Sequence, residues 1–327
     1  MKMKRYTIMM SLATVLLGLV SCSQDESVDN MTGTADLRLS TEIATTRAII
    51  EGTAFSSGDR VELFVNNTIG ANTVSAICDD GKWIIDPAVK LNNLSMGVVG
   101  IANRPAFSIA PDSAGNQQDI LIGLPDKIAN GTSINAANPE VHMTFHHALA
   151  RLSFQFTETN GSDNLTRLSL VNVNGKAIKT QCDSSLLSNA AWQLAYDMAK
   201  NRNYSAMWTM CQSSILAYLS EYGKAETMTL NKTVTLSEKE QVVDLLVFPT
   251  TINSSNRVSL ELVVSGKVYK VEMPADTWSA NVRYVYPVSI DVTKDYEQSV
   301  TIGKATIEKW GAQKSLDEIT VPTTMDY

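Results

Sequence analysis

The chain holds three histidines, His142, His146 and His147. Imidazole nitrogens take zinc when further protein ligands stand close by. On an extended segment His142 and His146 share a face and His147 points the other way. No carboxylate or cysteine lies at ligand spacing and HExxH is absent, so the expectation is a packed strand with hydrogen-bonded histidines and no metal site. Nucleophilic catalysis finds no frame either: GxSxG is absent, and no serine has a placeable His–Asp set. Neither GxxxxGK[ST] nor GxGxxG follows a strand, which leaves phosphate and dinucleotide cofactors without a cradle. Paired carboxylates of the glycosidase kind meet only in the fold, and nothing singles out a pair. No enzymatic activity and no cofactor are expected.

Two residues remain with chemistry of another kind, Cys22 and Arg47. Lys2, Lys4 and Arg5 are followed by an apolar run from Ile8 to Val20, too short to span a bilayer and laid out as a secretory signal. The run ends in Leu19-Val20-Ser21-Cys22, which resembles a bacterial lipobox. On that reading residues 1–21 are a lipoprotein signal peptide, and the Cys22 thiol takes a diacylglycerol. Several acyl chains then anchor the chain to the outer membrane. The alternative is an ordinary signal peptide with an incidental cysteine. Ser23-Gln24-Asp25-Glu26 looks like the acidic surface-export signal of Bacteroidetes lipoproteins, and residues 22–34 read as a flexible tether. Cys78, Cys182 and Cys211 are left over; Cys182 and Cys211 could pair, or all three stay reduced and buried.

Arg47 stands near the end of residues 35–50, between the tether and the first compact region. Ala35, Leu37, Leu39, Thr41 and Ile43 alternate with Asp36, Arg38, Ser40 and Glu42, which predicts one long strand with an apolar face. Its setting, Thr45-Thr46-Arg47-Ala48, is small and open to a protease. The alternative is one more solvated surface arginine.

These residues are carried by a chain of 327 residues, enough for about two domains. The net charge of −7 argues against nucleic-acid binding, which needs a basic surface to neutralise phosphates. Strand patterns follow at 61–65, 74–78, 83–85 and 96–102, with a hairpin turn at Asp79-Asp80-Gly81-Lys82. Pro105, Pro111, Gly115 and Pro125 break the next region into loops and short strands. Leu152, Phe154 and Phe156 share one face, and residues 165–173 alternate again. Residues 182–226 differ: Leu186, Leu187, Trp192 and Leu194, then Ile215, Leu216, Leu219 and Tyr222, come near helical spacing. One or two short helices are expected there, over 184–199 and 212–222. Strands resume at 228–236, 242–248, 257–264 and 267–273, the last two joined at Ser265-Gly266.

Phe145-His146-His147-Ala148-Leu149-Ala150-Arg151-Leu152 resembles the F-x-H-A-L-(A/S)-(R/K)-L segment of the Bacteroidetes fimbrillin family, the subunits of type V pili. Arg47-Ala48, Phe55 and the run from Gly58 to Phe64 resemble its early TRA…F…GD-x-(V/I)-x-(L/V)-F pattern. Leu246-Val247-Phe248-Pro249 is similar to its L-x-x-P strand end, and Trp278 to Val288 to its W-x-A-G-x-x-Y-x-Y-x-(V/I). There Asn281 replaces the usual glycine, a residue that tolerates the left-handed region. Ala305 to Trp310 resembles the closing A-x-I-x-x-W.

The resemblance implies an all-β fold of two tandem transthyretin-like β-sandwich domains, 35–158 and 159–327, with the helical insertion in the second. It implies trypsin-like cleavage after Arg47 by an arginine-specific protease, freeing Ala48 as the new N-terminus. Residues 35–47 are then a removable first strand, and another subunit's strand fills the groove by β-augmentation. By the same analogy the donor strand lies near the C-terminus. Residues 311–327 are strand-like only at Ile319-Thr320-Val321 and stop at Pro322, a pattern that suits a tip or accessory subunit better than a stalk subunit. The implied partners are other fimbrial subunits, the outer membrane and a host or bacterial surface ligand; the implied location is the cell-surface fimbrium. A reading from a different class is a lipid-anchored glycan-binding protein, with Trp83, Trp192, Trp208, Trp278 and Trp310 as candidates for a sugar platform and residues 35–50 kept for life. The tryptophans are expected in cores instead, since each ring supplies so much apolar area. A secreted hydrolase is a third reading, marked by a carboxylate pair in a cleft.

Overall fold

The structure, a computed structural model, describes residues 35–43, 55–66, 70–102, 108–128, 133–181, 184–201, 224–291, 293 and 299–310. Cys22, Arg47, Ala48, Cys182, Cys211, Trp208 and the expected helix over 212–222 lie outside them. The described chain is mostly strand, as the alternation predicts.

Seven strands of the N-terminal part are β1 (Arg38–Ile43), β2 (Arg60–Asn66), β3 (Ala71–Asp79), β4 (Lys82–Asp86), β5 (Gly97–Ala102), β6 (Leu121–Ile128) and β7 (Glu140–His147). They form one sheet in the order β1-β7-β6-β5-β2-β3-β4. Facing sheets are expected for a sandwich; here a single sheet curls until its two end strands meet, where the Trp83 indole N–H on β4 donates to the Thr41 hydroxyl on β1 at 3.0 Å. Glycine makes the curl feasible. Gly100 and Gly123 are register partners on β5 and β6. A Cβ on Gly123 would lie 2.4 Å from the Phe145 ring, and one on Gly100 2.8 Å, so the ring rests directly on bare backbone. Asp80 and Gly81 take positive φ at 48° and 75°, the I′-type turn that joins twisted strands. Pro125 lies inside β6 and is tolerated because the pairing shifts register between it and Lys127.

The strands of the two other large sheets are β8 (Ala150–Glu158), β9 (Asn164–Asn172), β10 (Met228–Thr235), β11 (Gln241–Val247), β12 (Val258–Val264), β13 (Lys267–Glu272), β14 (Val282–Ile290), β15 (Val300–Ile302) and β16 (Thr306–Lys309); short two-residue and three-residue strands make three further pairs. One sheet runs β11-β8-β14-β15, with β16 also on β14; the other runs β10-β9-β12-β13. Leu152, Phe154 and Phe156 of β8 and Tyr284, Tyr286 and Val288 of β14 share one core with Leu168, Leu170, Leu260 and Leu262 of the second sheet. This part is a sandwich. The expected division at 158/159 falls after β8, whose partners β11 and β14 are both C-terminal strands; the pairing changes hands at Ala148-Leu149, where β7 leaves the curled sheet. Asn281 has φ 62°, the conformation expected of the position that resembles a glycine. Around it the Trp278 indole donates to the Tyr286 hydroxyl, and Tyr286 donates to Asp276, each at 2.7 Å. Burial, foremost, drives the Tyr286 phenol far above its ordinary pKa.

One helix is described, α1 (Ser184–Asn201). Its buried Ala190, Ala191, Leu194, Ala195 and Met198 recur at helical spacing and lie on the outer face of the curled sheet. Gly97 on β5 permits the approach: a Cβ there would sit 1.8 Å from the Ala195 carbonyl oxygen. Trp192 seals the contact, edge-on to Phe64 at 5.9 Å and donating to Thr73 at 3.1 Å. The insertion therefore braces the two parts of the molecule. Gln117 does the same: its carboxamide donates to the carbonyls of Ile109 and Leu246 and accepts from Leu246 N–H at 2.7 Å, standing in for a neighbouring strand along β11.

Candidate strand-acceptor groove

The first strand occupies the edge of the curled sheet and is the one strand there held by a parallel ladder, running Arg38↔Glu140 to Ile43↔Phe145. Its alternation predicts what each side chain does. Leu37 and Ile43 are buried, Leu39 packs half-buried on the same core, and Arg38, Ser40 and Glu42 are exposed. The expected long strand is broken at Leu37: Ala35-Asp36 pairs with Lys90-Leu91, and Leu37 N–H turns to the Val89 carbonyl at 3.0 Å.

Beneath β1 the groove is apolar. Val141, Met143 and Phe145 of β7 are fully buried and share one cluster with Leu91, Val61 and Leu63. Phe55 stands edge-on to both Phe145 (5.0 Å) and Trp83 (5.1 Å), which links the two banks across the floor. Each of Leu37, Leu39 and Ile43 contributes about 1.5–3 kcal/mol if fully buried. Lifting the strand away would expose this floor and the main-chain edge of β7 together, a surface that invites another strand.

The outward faces of β1 and β7 carry polar rungs. Arg38 pairs with Glu140 at 3.2 Å, Ser40 meets His142 Nδ1 at 2.9 Å, and Thr144 donates to Glu42 at 3.2 Å. Glu42 also stands 3.7 Å from His142 Nε2. His142 and His146 share this face, as the strand period predicts, while His147 turns inward and is fully buried. It hydrogen-bonds to Asp119 and stacks on Trp310. Among the described residues no three His, Cys, Asp or Glu side chains converge as metal ligands.

The tryptophans do not make a platform among the described residues. Trp278 and Trp310 are buried, and Trp83 and Trp192 are wedged into the groove and the helix contact. Two other clefts have linings of mixed polar and apolar character. One of about 620 Å³ lies over β2 and β3, beside Asp59, Arg60 and Glu62. One of about 520 Å³ crosses the outer face of β11, β8 and β14. In the second, Arg151 pairs with Asp244, and Arg283 donates to Ser153 and to Glu308, at 2.8 and 3.0 Å. Arg151, Asp244, Arg283 and Glu308 are thus matched with one another within the sheet. The groove's second bank, Trp83 with Phe55, was not singled out from sequence, because neither residue is near β1 along the chain.

The chain is thus a β-rich protein whose first strand lies along one edge of the curled sheet, over an apolar groove. The chain belongs to the fimbrillin-like family, whose model matches residues 99–310, well over half of the sequence. It is thus a member of a family of structural, non-enzymatic fimbrial proteins. Among solved structures it is similar to a Bacteroides ovatus protein assigned to cell adhesion (15% identity, 85% of this chain and 98% of that one, TM-score 0.46). It is also similar to a fimbrial protein from Bacteroides vulgatus (11%, 84% and 99%, 0.42). A third similar structure is the tip fimbrial protein Mfa3 from Porphyromonas gingivalis with C-terminal truncation (12%, 84% and 100%, 0.40). No curated protein sequence matches the chain.

Proposed function

We propose that this chain is a subunit of a cell-surface fimbria, exported as a lipoprotein acylated at Cys22, cut after Arg47 and assembled by strand exchange. The processed chain starts at Ala48, with β1 released and its place taken by a strand of a neighbouring subunit. The observation that carries this reading is the attachment of β1. It is paired along one edge only, in the parallel sense that is slightly weaker per residue, over a groove whose floor is fully apolar. Arg47 follows the last residue of β1 by four positions. A strand held this way is stable enough to keep the precursor soluble and replaceable once cut, with main-chain bonds giving affinity and the alternate pockets giving fit.

Digestion of the purified precursor with an arginine-specific protease tests the reading. A new N-terminus at Ala48 and a shift to SDS-resistant oligomers are expected. Cleavage that leaves Ala48 internal, with the chain still monomeric, rejects it. In cells, Cys22→Ala is expected to lose acyl labelling and to move the precursor out of the membrane fraction; unchanged labelling removes Cys22 from the scheme.

A further inference from the structure

We propose that the groove reads the strand it holds. Glu140, His142 and Thr144 on one bank and Trp83 on the other select a segment running parallel to β7, with a cation, two hydroxyls and a carboxylate at the places of Arg38, Ser40, Thr41 and Glu42. The partner is an extended segment of another subunit that repeats this order, with the cation, one hydroxyl and the carboxylate on its outer face and the hydroxyl at the place of Thr41 turned to Trp83. The proposal rests on the removable-strand reading above and adds what the incoming strand must carry.

The apolar floor alone discriminates poorly, since an alternating segment of suitable volume satisfies it. The rungs differ. Glu140 faces Arg38 at 3.2 Å, His142 faces Ser40 at 2.9 Å, and Thr144 donates to Glu42 at 3.2 Å. Three polar contacts therefore occupy three successive outward positions of one strand pair. Arg38 and Glu140 are both more than half exposed, so a single rung changes affinity by only about two- to five-fold. Three together reach about ten-fold or more, and a like charge opposite Glu140 is actively repelled. On the far bank the half-buried Trp83 N–H has the Thr41 hydroxyl as its acceptor at 3.0 Å. A segment with valine there leaves that donor without the bond.

The same contacts set direction and register. Turning the strand around brings the Glu42 carboxylate toward Glu140. A slip of one residue moves Arg38, Ser40 and Glu42 onto the apolar floor. The rungs thus reject misaligned occupants that the floor would accept.

Two measurements test this. In the intact precursor, amide hydrogen exchange over residues 38–43 is compared for Arg38→Glu, Glu140→Arg and the double variant. Each single change is expected to speed exchange several-fold, and the double variant to return within about two-fold of the parent. Equal exchange in all four proteins overturns the proposal.

In the cleaved chain stripped of β1, labelled peptides of residues 35–47 are rebound. One has the natural sequence, one a neutral outer face (Arg38→Gln, Ser40→Ala, Glu42→Gln) and one exchanged charges (Arg38→Glu, Glu42→Arg). The natural peptide is expected to bind tightest, the neutral one about ten-fold weaker, and the exchanged one weaker still. Equal binding of all three rejects the code. Failure of every peptide to rebind, with the exchange coupling intact in the precursor, rejects the removable-strand reading and leaves the rungs as what selects β1 in its own chain.

Discussion

The indole of Trp310 lies flat on the imidazole of His147, ring centroids 4.4 Å apart and planes 13° apart. Trp310 follows β16 of the sandwich, and His147 ends β7 in the curled sheet, so the stack ties the sandwich to the strand that carries the groove. Asp119 hydrogen-bonds to the other side of the joint, and Trp310 and His147 are both at most 1% exposed.

Trp310→Ala should therefore cost about 3–5 kcal/mol, the usual range for a buried tryptophan. The indole N–H is buried with no hydrogen-bond partner among the described residues, so Trp310→Phe keeps a ring on His147 and should cost clearly less. Urea unfolding of the two variants checks the order; equal losses would mean that the stack contributes nothing of its own.

Gly97 and Gly123 both meet neighbours closely but differ in what would have to move. An alanine Cβ at Gly97 strikes the Ala195 main-chain carbonyl at 1.8 Å, and the helix must lift. At Gly123 it strikes a phenylalanine ring, which can turn. Gly97→Ala should cost more than about 3 kcal/mol. Gly123→Ala should cost less and recover in part when combined with Phe145→Leu. Thermal melting of the three proteins decides this.

Gln117 is buried and completes the hydrogen bonds of Leu246 on the edge of β11. Gln117→Ala leaves a buried N–H and two carbonyl groups short of a partner and should cost about 1–3 kcal/mol. Faster amide exchange at Leu246 than at Val243 is the expected signature.

Glu158 and Asp163 supply the pH dependence. Burial, foremost, raises the Glu158 carboxyl above its ordinary value of 4.5, while a hydrogen bond from Ser265, foremost, lowers Asp163 below 3.8. The folded state thus holds the Glu158 proton longer than the unfolded chain does. Its contribution to stability is full below pH 4.5 and is lost as pH rises from there through the raised folded value. Asp163 works the other way, contributing above 3.8 and losing it as pH falls through its lowered value. Glu158→Gln removes the first effect and keeps an acceptor for the Asp163 N–H. It should be more stable than the parent near neutrality, with the difference vanishing below about pH 4. A constant difference at all pH values would contradict the assignment.

Much of this molecule is legible locally. The period of two over residues 35–43 assigned every inward and outward side chain of β1, and Ser265-Gly266 marked a hairpin that forms with both residues at positive φ. Asn281 adopts the left-handed turn expected of it. These features depend on a few adjacent residues, whose sterics do not need the rest of the chain. The helix over 184–201 was foreseen by its spacing, but not its berth, because nothing near Trp192 in sequence points to Thr73 or Gly97.

By itself the sequence determined most of the strands, the face β1 shows to the core and the family; it did not foresee β6, an eight-residue strand that runs through Pro125 where a break was expected. The proposal of Cys22 and Arg47 as sites rests on short motifs and lies outside the described residues. Only the tertiary structure decided that the N-terminal strands close into one curled sheet. It also decided that β8 joins the sandwich and that Trp83 reaches across to Thr41 from the far bank. Alternation is a property of neighbours along the chain, set by the geometry of a single strand. Which strands become neighbours in space depends on how glycine, ring and helix surfaces fit together over the whole core. That fit placed β1 on an edge, over the apolar floor it covers.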